Sequence, residues 1–291
     1  ELNQCANELA HKLVELDCGQ FVCLYLDRGI EMVISMLAVM KAGSAYVPIS
    51  PEYPADRTQF ILENTATKVL LTHGHYFDEF SNCESLQLVN VEDDFGLYST
   101  DDLLLDIREN DFAYVLFTSG TTGRPKGVVL THLNVAHIAY NTERRFGLGA
   151  DGLGSTILGF ASYTFDPCVM DTMWALLYGH KLVICNNDER RDPNMLEMLM
   201  RRHEVTFAFL SPKFAESLPL STFQGLEHLM VGGEATNLAT VKEISKICKV
   251  HNLYGPTECT VFATGHLFEQ GDKINTNIGG PVANMEAFVV D

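Results

Sequence analysis

The sequence predicts an α/β protein with largely parallel sheets, and three observations carry the prediction. Short β-type runs alternate with helix-type segments along almost the whole chain. Several glycine- and hydroxyl-rich strings follow directly on apolar runs, where an open α/β sheet places its ligands. At 291 residues and 46% hydrophobic, the chain can bury a large core, as one large domain or two smaller ones.

Taken in order, Leu2, Cys5, Leu9 and Leu13 recur at helical spacing. Residues 21–26 read as a strand, 31–41 as a helix closed by Gly43, and Ala45–Pro48 as a strand edge. Residues 54–64 read as a helix entered through Pro54, and Val69–Thr72 as a strand. Residues 92–110 are acidic and poorly patterned, which predicts an irregular connection between lobes 1–110 and 111–275. Beyond it, Tyr114, Val115, Leu116 and Phe117 form an apolar strand. Helices are expected over 132–145, 169–178 (ending at Gly179), 195–202 and 238–245. The matching strands are Lys181–Ile184, 206–210, 228–231 and 250–253. The chain closes on the strand-like Phe288, Val289, Val290 and Asp291, and both ends look cut. The apolar stretch 32–40 has helical period and is too short to span a bilayer.

A net charge of −18 with no Lys/Arg block argues against nucleic acid or an anionic membrane as partner. Eight scattered cysteines without a C-x-x-C pair point to a reduced, cytoplasmic protein. His73 and His75 lack nearby cysteines or a third ligand, so no zinc site is expected.

The most informative stretch is 118–127, TSGTTGRPKG, directly behind the strand at Tyr114. A polyphosphate needs many donors at close range. Glycines let backbone N–H groups approach, hydroxyls add donors, and Lys126 or Arg124 supplies positive charge. Spacing excludes a Walker A loop, because counting from Gly120 puts Pro125 where the second glycine belongs. Residues 252–258, NLYGPTE, follow another strand and combine an aromatic for stacking, a tight turn, a hydroxyl for phosphate and a carboxylate for a cation. Gly232, Gly233, Glu234 and Ala235 also follow a strand, where glycine permits close approach of a flat ligand. Asp166 precedes a helix amid Phe160, Tyr163, Phe165 and Pro167. Such an Asp is usually an N-cap; desolvated in a pocket, it would need a cationic partner such as an α-ammonium group.

Together, these strings resemble the adenylate-forming enzymes, specifically the amino-acid adenylation domains of nonribosomal peptide synthetases. The resemblance covers essentially the whole chain and includes residues 40–57 (MKAGSAYVPISPEYPADR), the loop at Thr118, Phe165-Asp166, residues 232–235, residues 254–258 and NIGGP at 277–281. Ser50 stands where the family has Asp, and Gly280 where it has Arg. The resemblance implies two largely parallel sheets flanked by helices, with the start of a β-barrel subdomain at 276–291. It places the ribose-binding Asp, the hinge and the small C-terminal domain with its catalytic Lys beyond Asp291.

By the same resemblance, the reaction joins a carboxylate to the α-phosphorus of ATP, releases pyrophosphate, and passes the acyl group to a carrier-bound phosphopantetheine thiol. Positioning and electrostatics dominate such chemistry. Thr118, Ser119, Gly120, Thr121, Thr122, Gly123 and Lys126 would hold the β/γ-phosphates. Thr257 would contact the α-phosphate and Glu258 would hold Mg²⁺. Tyr254 would stack on adenine, with Asn252, Gly233, Glu234, Ala235 and Gly255 around it. Asp166 would pair with the substrate's ammonium group. Pro167, Met170, Phe209, Met230, Gly232, Leu253, Val261 and Phe262 would line the side-chain pocket, with Gly232 deepening it. All are apolar or small, which implies a neutral, mainly apolar amino acid; an acylated hydroxamate residue of a siderophore is one conceivable substrate. The implied partners are a peptidyl carrier domain and neighbouring synthetase domains. A stand-alone acyl- or aryl-CoA ligase and a non-catalytic nucleotide-binding remnant remain as alternatives.

Overall fold

The computed structural model describes residues 1–83, 85–119, 124–146 and 154–290. The chain divides into two compact units, Glu1–Leu133 and Asn134–Asp291.

The first unit runs α1 (Leu2–Glu15), β1 (Phe21–Tyr25), α2 (Ile30–Lys41), β2 (Ala45–Pro48), α3 (Ala55–Thr65), β3 (Val69–Thr72), β4 (Gln87–Asn90), β5 (Phe112–Thr118) and β6 (Lys126–Thr131). Its sheet has the order β4-β3-β1-β2-β5-β6, all neighbours parallel except β5 and β6. Strands β2 and β3 are buried at every residue, as parallel strands covered on both faces require. Helix α2 buries Met32, Val33, Met36, Val39 and Met40. It stops where Gly43 takes φ of 77°, a left-handed turn that glycine makes without strain.

The unit boundary lies past the expected one at Asn110, for a topological reason. β5 pairs with β2 and β6 with β5, so both belong to the first sheet. Residues 92–110 contain no helix or strand, and Asp102 ties this connection down by accepting hydrogen bonds from Asn7 and Lys41, each at 3.0 Å.

The second unit follows with α4 (His132–Phe146), which starts at the boundary, then β7 (Thr156–Gly159), α5 (Pro167–Tyr178), β8 (Lys181–Ile184), α6 (Asn187–Arg191) and α7 (Pro193–His203). It continues through β9 (Phe207–Leu210), α8 (Pro212–Ser217), β10 (His228–Gly232), α9 (Leu238–Ile244), β11 (Lys249–Tyr254), β12 (Thr264–Leu267) and β13 (Gly280–Pro281). The sheet order is β13-β12-β11-β10-β9-β7-β8; β11/β12 and β12/β13 are antiparallel, the rest parallel.

Because side chains alternate across a strand, this sheet has two distinct buried faces. Ala208, Leu210, Leu229, Val231 and Val250 pack with Leu196 and Met200 of α7 and Val241 and Ile244 of α9. Phe207, Phe209, Met230 and Leu253 pack on the other side with Ile138 and Phe146 of α4 and Met170 and Trp174 of α5.

Phe288, Val289 and Val290 correct one expectation, since they lie outside any strand and are exposed. An apolar run without a neighbouring strand to pair with does not by itself make one. Among the described residues, no helix is long and apolar enough to cross a membrane.

Candidate functional site

Past the carboxyl ends of β10 and β11, Gly233, Glu234, Ala235, Asn252, Leu253, Tyr254, Gly255 and Pro256 line a cleft of about 350 Å³ with Asn275, Thr276 and Ile278. Tyr254 is 54% exposed, leaving its ring available for stacking. Asn252 is buried and donates to the Asn277 carbonyl at 2.8 Å, so it braces the cleft wall. Asn275 braces the same wall through a bond to the Thr236 carbonyl at 2.5 Å. Glu234 is held by the Lys213 ammonium group at 3.1 Å and by its backbone N–H at 3.3 Å.

Asp166 sits at the N-cap position of α5 but makes no side-chain cap bond. The usual role of an Asp before a helix is therefore not what it does. Its residue is only 4% exposed, and burial pushes its carboxyl up to about 6. A hydrogen bond from the Thr257 side chain opposes that rise, and the Glu258 charge adds to it. Residues 166, 257 and 258 thus converge in the fold. Thr257 and Glu258 lie in the short 3-10 turn Thr257–Cys259, with Glu258 exposed. Among the described residues, no group of three or more His, Cys, Asp or Glu side chains could hold a metal ion.

Met170, Phe209, Met230, Leu253, Val261 and Phe262 belong to one buried cluster, and Pro167 is buried at the start of α5. The structure brings these scattered positions together. Gly232 ends β10 beside Leu253 of β11. A Cβ there would lie 2.7 Å from the Leu253 carbonyl oxygen and 3.5 Å from the Phe209 ring, so glycine is what lets β10 and β11 approach. Thr260 and Val261 both adopt positive φ, 61° and 69°, an unusual backbone for β-branched residues.

Below this cluster, His228 and His251 form a buried pair, Nδ1 to Nε2 at 2.9 Å, with the Phe146 ring edge-on to His251 at 4.7 Å. Burial, then the Lys249 charge, holds His228 down to about 4. Burial and the charges of His228, Arg145, Lys249 and His266 hold His251 down to about 3. Sequence reasoning missed this pair, because nothing in residues 23 apart announces a contact.

In the first unit, Thr118 ends β5 and pairs in register with Lys126 at the start of β6. The expected phosphate loop is therefore closed by a strand that returns along the one that delivers it. Ser119 and Lys126 are exposed. Gly120, Thr121, Thr122 and Gly123 lie outside the described residues. His73 is buried and stacks on His75, which pairs with Asp27 at 3.2 Å.

These two sheets, with a cleft at the strand ends and a buried carboxylate beside it, define an adenylate-forming α/β fold. The chain belongs to the AMP-binding enzyme family, whose model matches residues 1–291. It is 36% identical over 296 residues to tyrocidine synthase 2 of Brevibacillus parabrevis, covering 100% of this chain and 8% of that protein. It is 33% identical over 297 residues to gramicidin S synthase 1 of Brevibacillus brevis, covering 100% of this chain and 27% of that protein. The chain thus spans a small part of these relatives. Among solved structures, it resembles the nonribosomal peptide synthetase FmoA3 (S1046A), with a TM-score of 0.89, 26% identity, and coverage of 98% of this chain and 31% of that one. The α-methyl-L-serine-AMP-bound form of that protein matches with a TM-score of 0.88 and 26% identity, over 100% of this chain and 34% of that one.

Proposed function

We propose that the protein activates an amino acid with ATP, forming an aminoacyl adenylate and pyrophosphate, within nonribosomal peptide synthesis. The observation that carries this reading is Asp166. It is a buried carboxylate acted on by Thr257 and Glu258, neither of them a cation. Burying such a group is costly until a positive charge joins it, and a substrate's α-ammonium group supplies that charge.

In this reading, the substrate amine pairs with Asp166, and its side chain enters the cluster of Met170, Phe209, Met230, Leu253, Val261 and Phe262. A neutral, mainly apolar amino acid suits that lining. Tyr254 stacks on adenine, while Gly233, Glu234, Ala235, Asn252 and Gly255 shape the cleft around it. Once the substrate amine takes its place at Asp166, Thr257 would turn its hydroxyl toward the α-phosphate, and Thr118, Ser119 and Lys126 would serve the outgoing phosphates. Glu258 would hold Mg²⁺, a fit with a single exposed carboxylate because this ion keeps most of its shell as water and phosphate oxygen. When bound, the ion would neutralise phosphate charge. The product adenylate would then pass to the phosphopantetheine thiol of a carrier-protein partner.

The test is ATP–pyrophosphate exchange by the full-length protein carrying this chain, across apolar amino acids and their des-amino counterparts. Exchange driven by amino acids and not by the des-amino acids is expected. The reverse preference would favour an acyl- or aryl-CoA ligase, and nucleotide binding with no exchange at all would favour a non-catalytic remnant.

A further inference from the structure

Trp174 is the chain's one tryptophan, and it is fully buried on α5. A buried indole needs a partner for its N–H. Here Nε1 donates at 2.8 Å to Oε2 of Glu143, on α4. The same oxygen lies 3.1 Å from Nε2 of His180, whose side chain is 4% exposed. Nδ1 of that ring accepts the Ser155 backbone N–H at 3.2 Å, so the ring proton sits on Nε2 and is donated to Glu143. One carboxylate oxygen therefore fastens α5 to α4 and to the turn that leads into β8.

Asp166, Met170 and Trp174 are spaced by four and form one buried stripe along α5. The N-terminal end of that helix has no side-chain cap of its own. Its placement depends on packing and on the anchor at Trp174. The indole also meets Phe207 edge-on at 4.5 Å, two residues before Phe209 on the same face of β9. A shift of the indole is thus passed to both the Asp166 end of α5 and the floor of the proposed pocket.

We propose that Glu143 is a positioning residue for the amino-acid site, acting through Trp174 to set where Asp166 and Met170 stand; this rests on the functional reading above. Trp174 is eight residues from Asp166, about 12 Å along a helix axis, so Glu143 acts by placement and not by its charge.

The test uses Glu143→Leu and Glu143→Gln in the full-length protein, with KM measured separately for amino acid and ATP and a thermal melt for each variant. Glu143→Leu leaves both donors unpaired and is expected to raise KM for the amino acid about tenfold, with KM for ATP within about twofold. Both bonds end on one oxygen, so the Gln amide oxygen can accept both, and Glu143→Gln is expected to recover nearly all of the loss. Equal changes in the two KM values, no change in either, or a Gln variant as poor as Leu would each overturn the inference. Should the Leu variant fail to fold, Trp174→Phe keeps an aromatic ring while losing the donor together with part of the indole's volume, and an unchanged amino-acid KM there overturns it equally. Absence of exchange in the unaltered protein with every amino acid defeats the functional reading itself, and the inference with it.

Discussion

Just past the carboxyl end of β11, Asp166 meets Thr257; toward the amino ends of β10 and β11, His228 meets His251. Both places bury polar groups, and burial moves all three titrating groups away from charge. The histidines answer burial by pairing with each other. Asp166 receives a hydroxyl and a backbone hydrogen bond against the repulsion of Glu258, with no cation acting on it among the described residues, so its demand for one stays open. A structural end and a proposed binding end of one sheet differ in whether the buried polar group is already satisfied.

Removing the unsatisfied group should have the largest effect. Asp166→Ala is expected to lower amino-acid-dependent exchange by about 10²- to 10³-fold, the scale of losing one partner of a buried ion pair. Exchange at the unaltered rate would sink the assignment.

The same residue should cost stability. Its folded value near 6 lies above the ordinary 3.8, so below pH 3.8 both states are protonated and the penalty is absent; it grows between pH 3.8 and 6 and is complete above 6. Asp166→Asn should therefore stabilise the fold at pH 8 by up to ~3 kcal/mol and hardly at all at pH 3, as read by urea unfolding.

The histidines should show the opposite sign. Their folded values near 4 and 3 lie below 6.5, so between pH 6.5 and 4 for His228, and down to 3 for His251, the unfolded chain binds protons that the native chain refuses, and stability falls as pH falls. At pH 7, His251→Leu should cost about 1–3 kcal/mol by leaving His228 without its partner, while the double variant His228→Leu/His251→Leu should cost less and lose stability less steeply with acid. A double variant as poor as the single one, with the same acid slope, would rule the pair out as the cause.

The smallest effect belongs to Gly232→Ala. The added methyl meets a backbone carbonyl at 2.7 Å, which should cost about 1–2 kcal/mol in unfolding measurements. A neutral outcome would mean that β10 and β11 can separate freely.

Much of this was legible in the sequence because the signals are local. Hydrophobic period and glycine or proline stops located α2, α3, α5, β2, β3 and β8 within a residue or two. Strands β4, β7 and β12 were missed because their runs QLVN, TILG and TGHL hold at most two strongly apolar residues each, against three in the equally short β3 and β8. Lys126 and Gly127 read as loop because their glycine and charge hide a strand that exists by pairing with β5. At the site, the residue types that do chemistry were visible, whereas what supports them was not. Glu143 lies 31 residues from Trp174 and 37 from His180, on a helix face without motif. The one available signal was the tryptophan itself, since an indole inside an apolar helix implies a distant acceptor.

The left-handed backbone at Val261 bears on how such a protein could change its diet. A valine there carries a conformational penalty, while glycine or asparagine would relieve it and also vacate space in the proposed pocket. Mutation toward a bulkier substrate at this position would then be cushioned by a gain in foldability, making it an accessible first step for engineering or drift in substrate range.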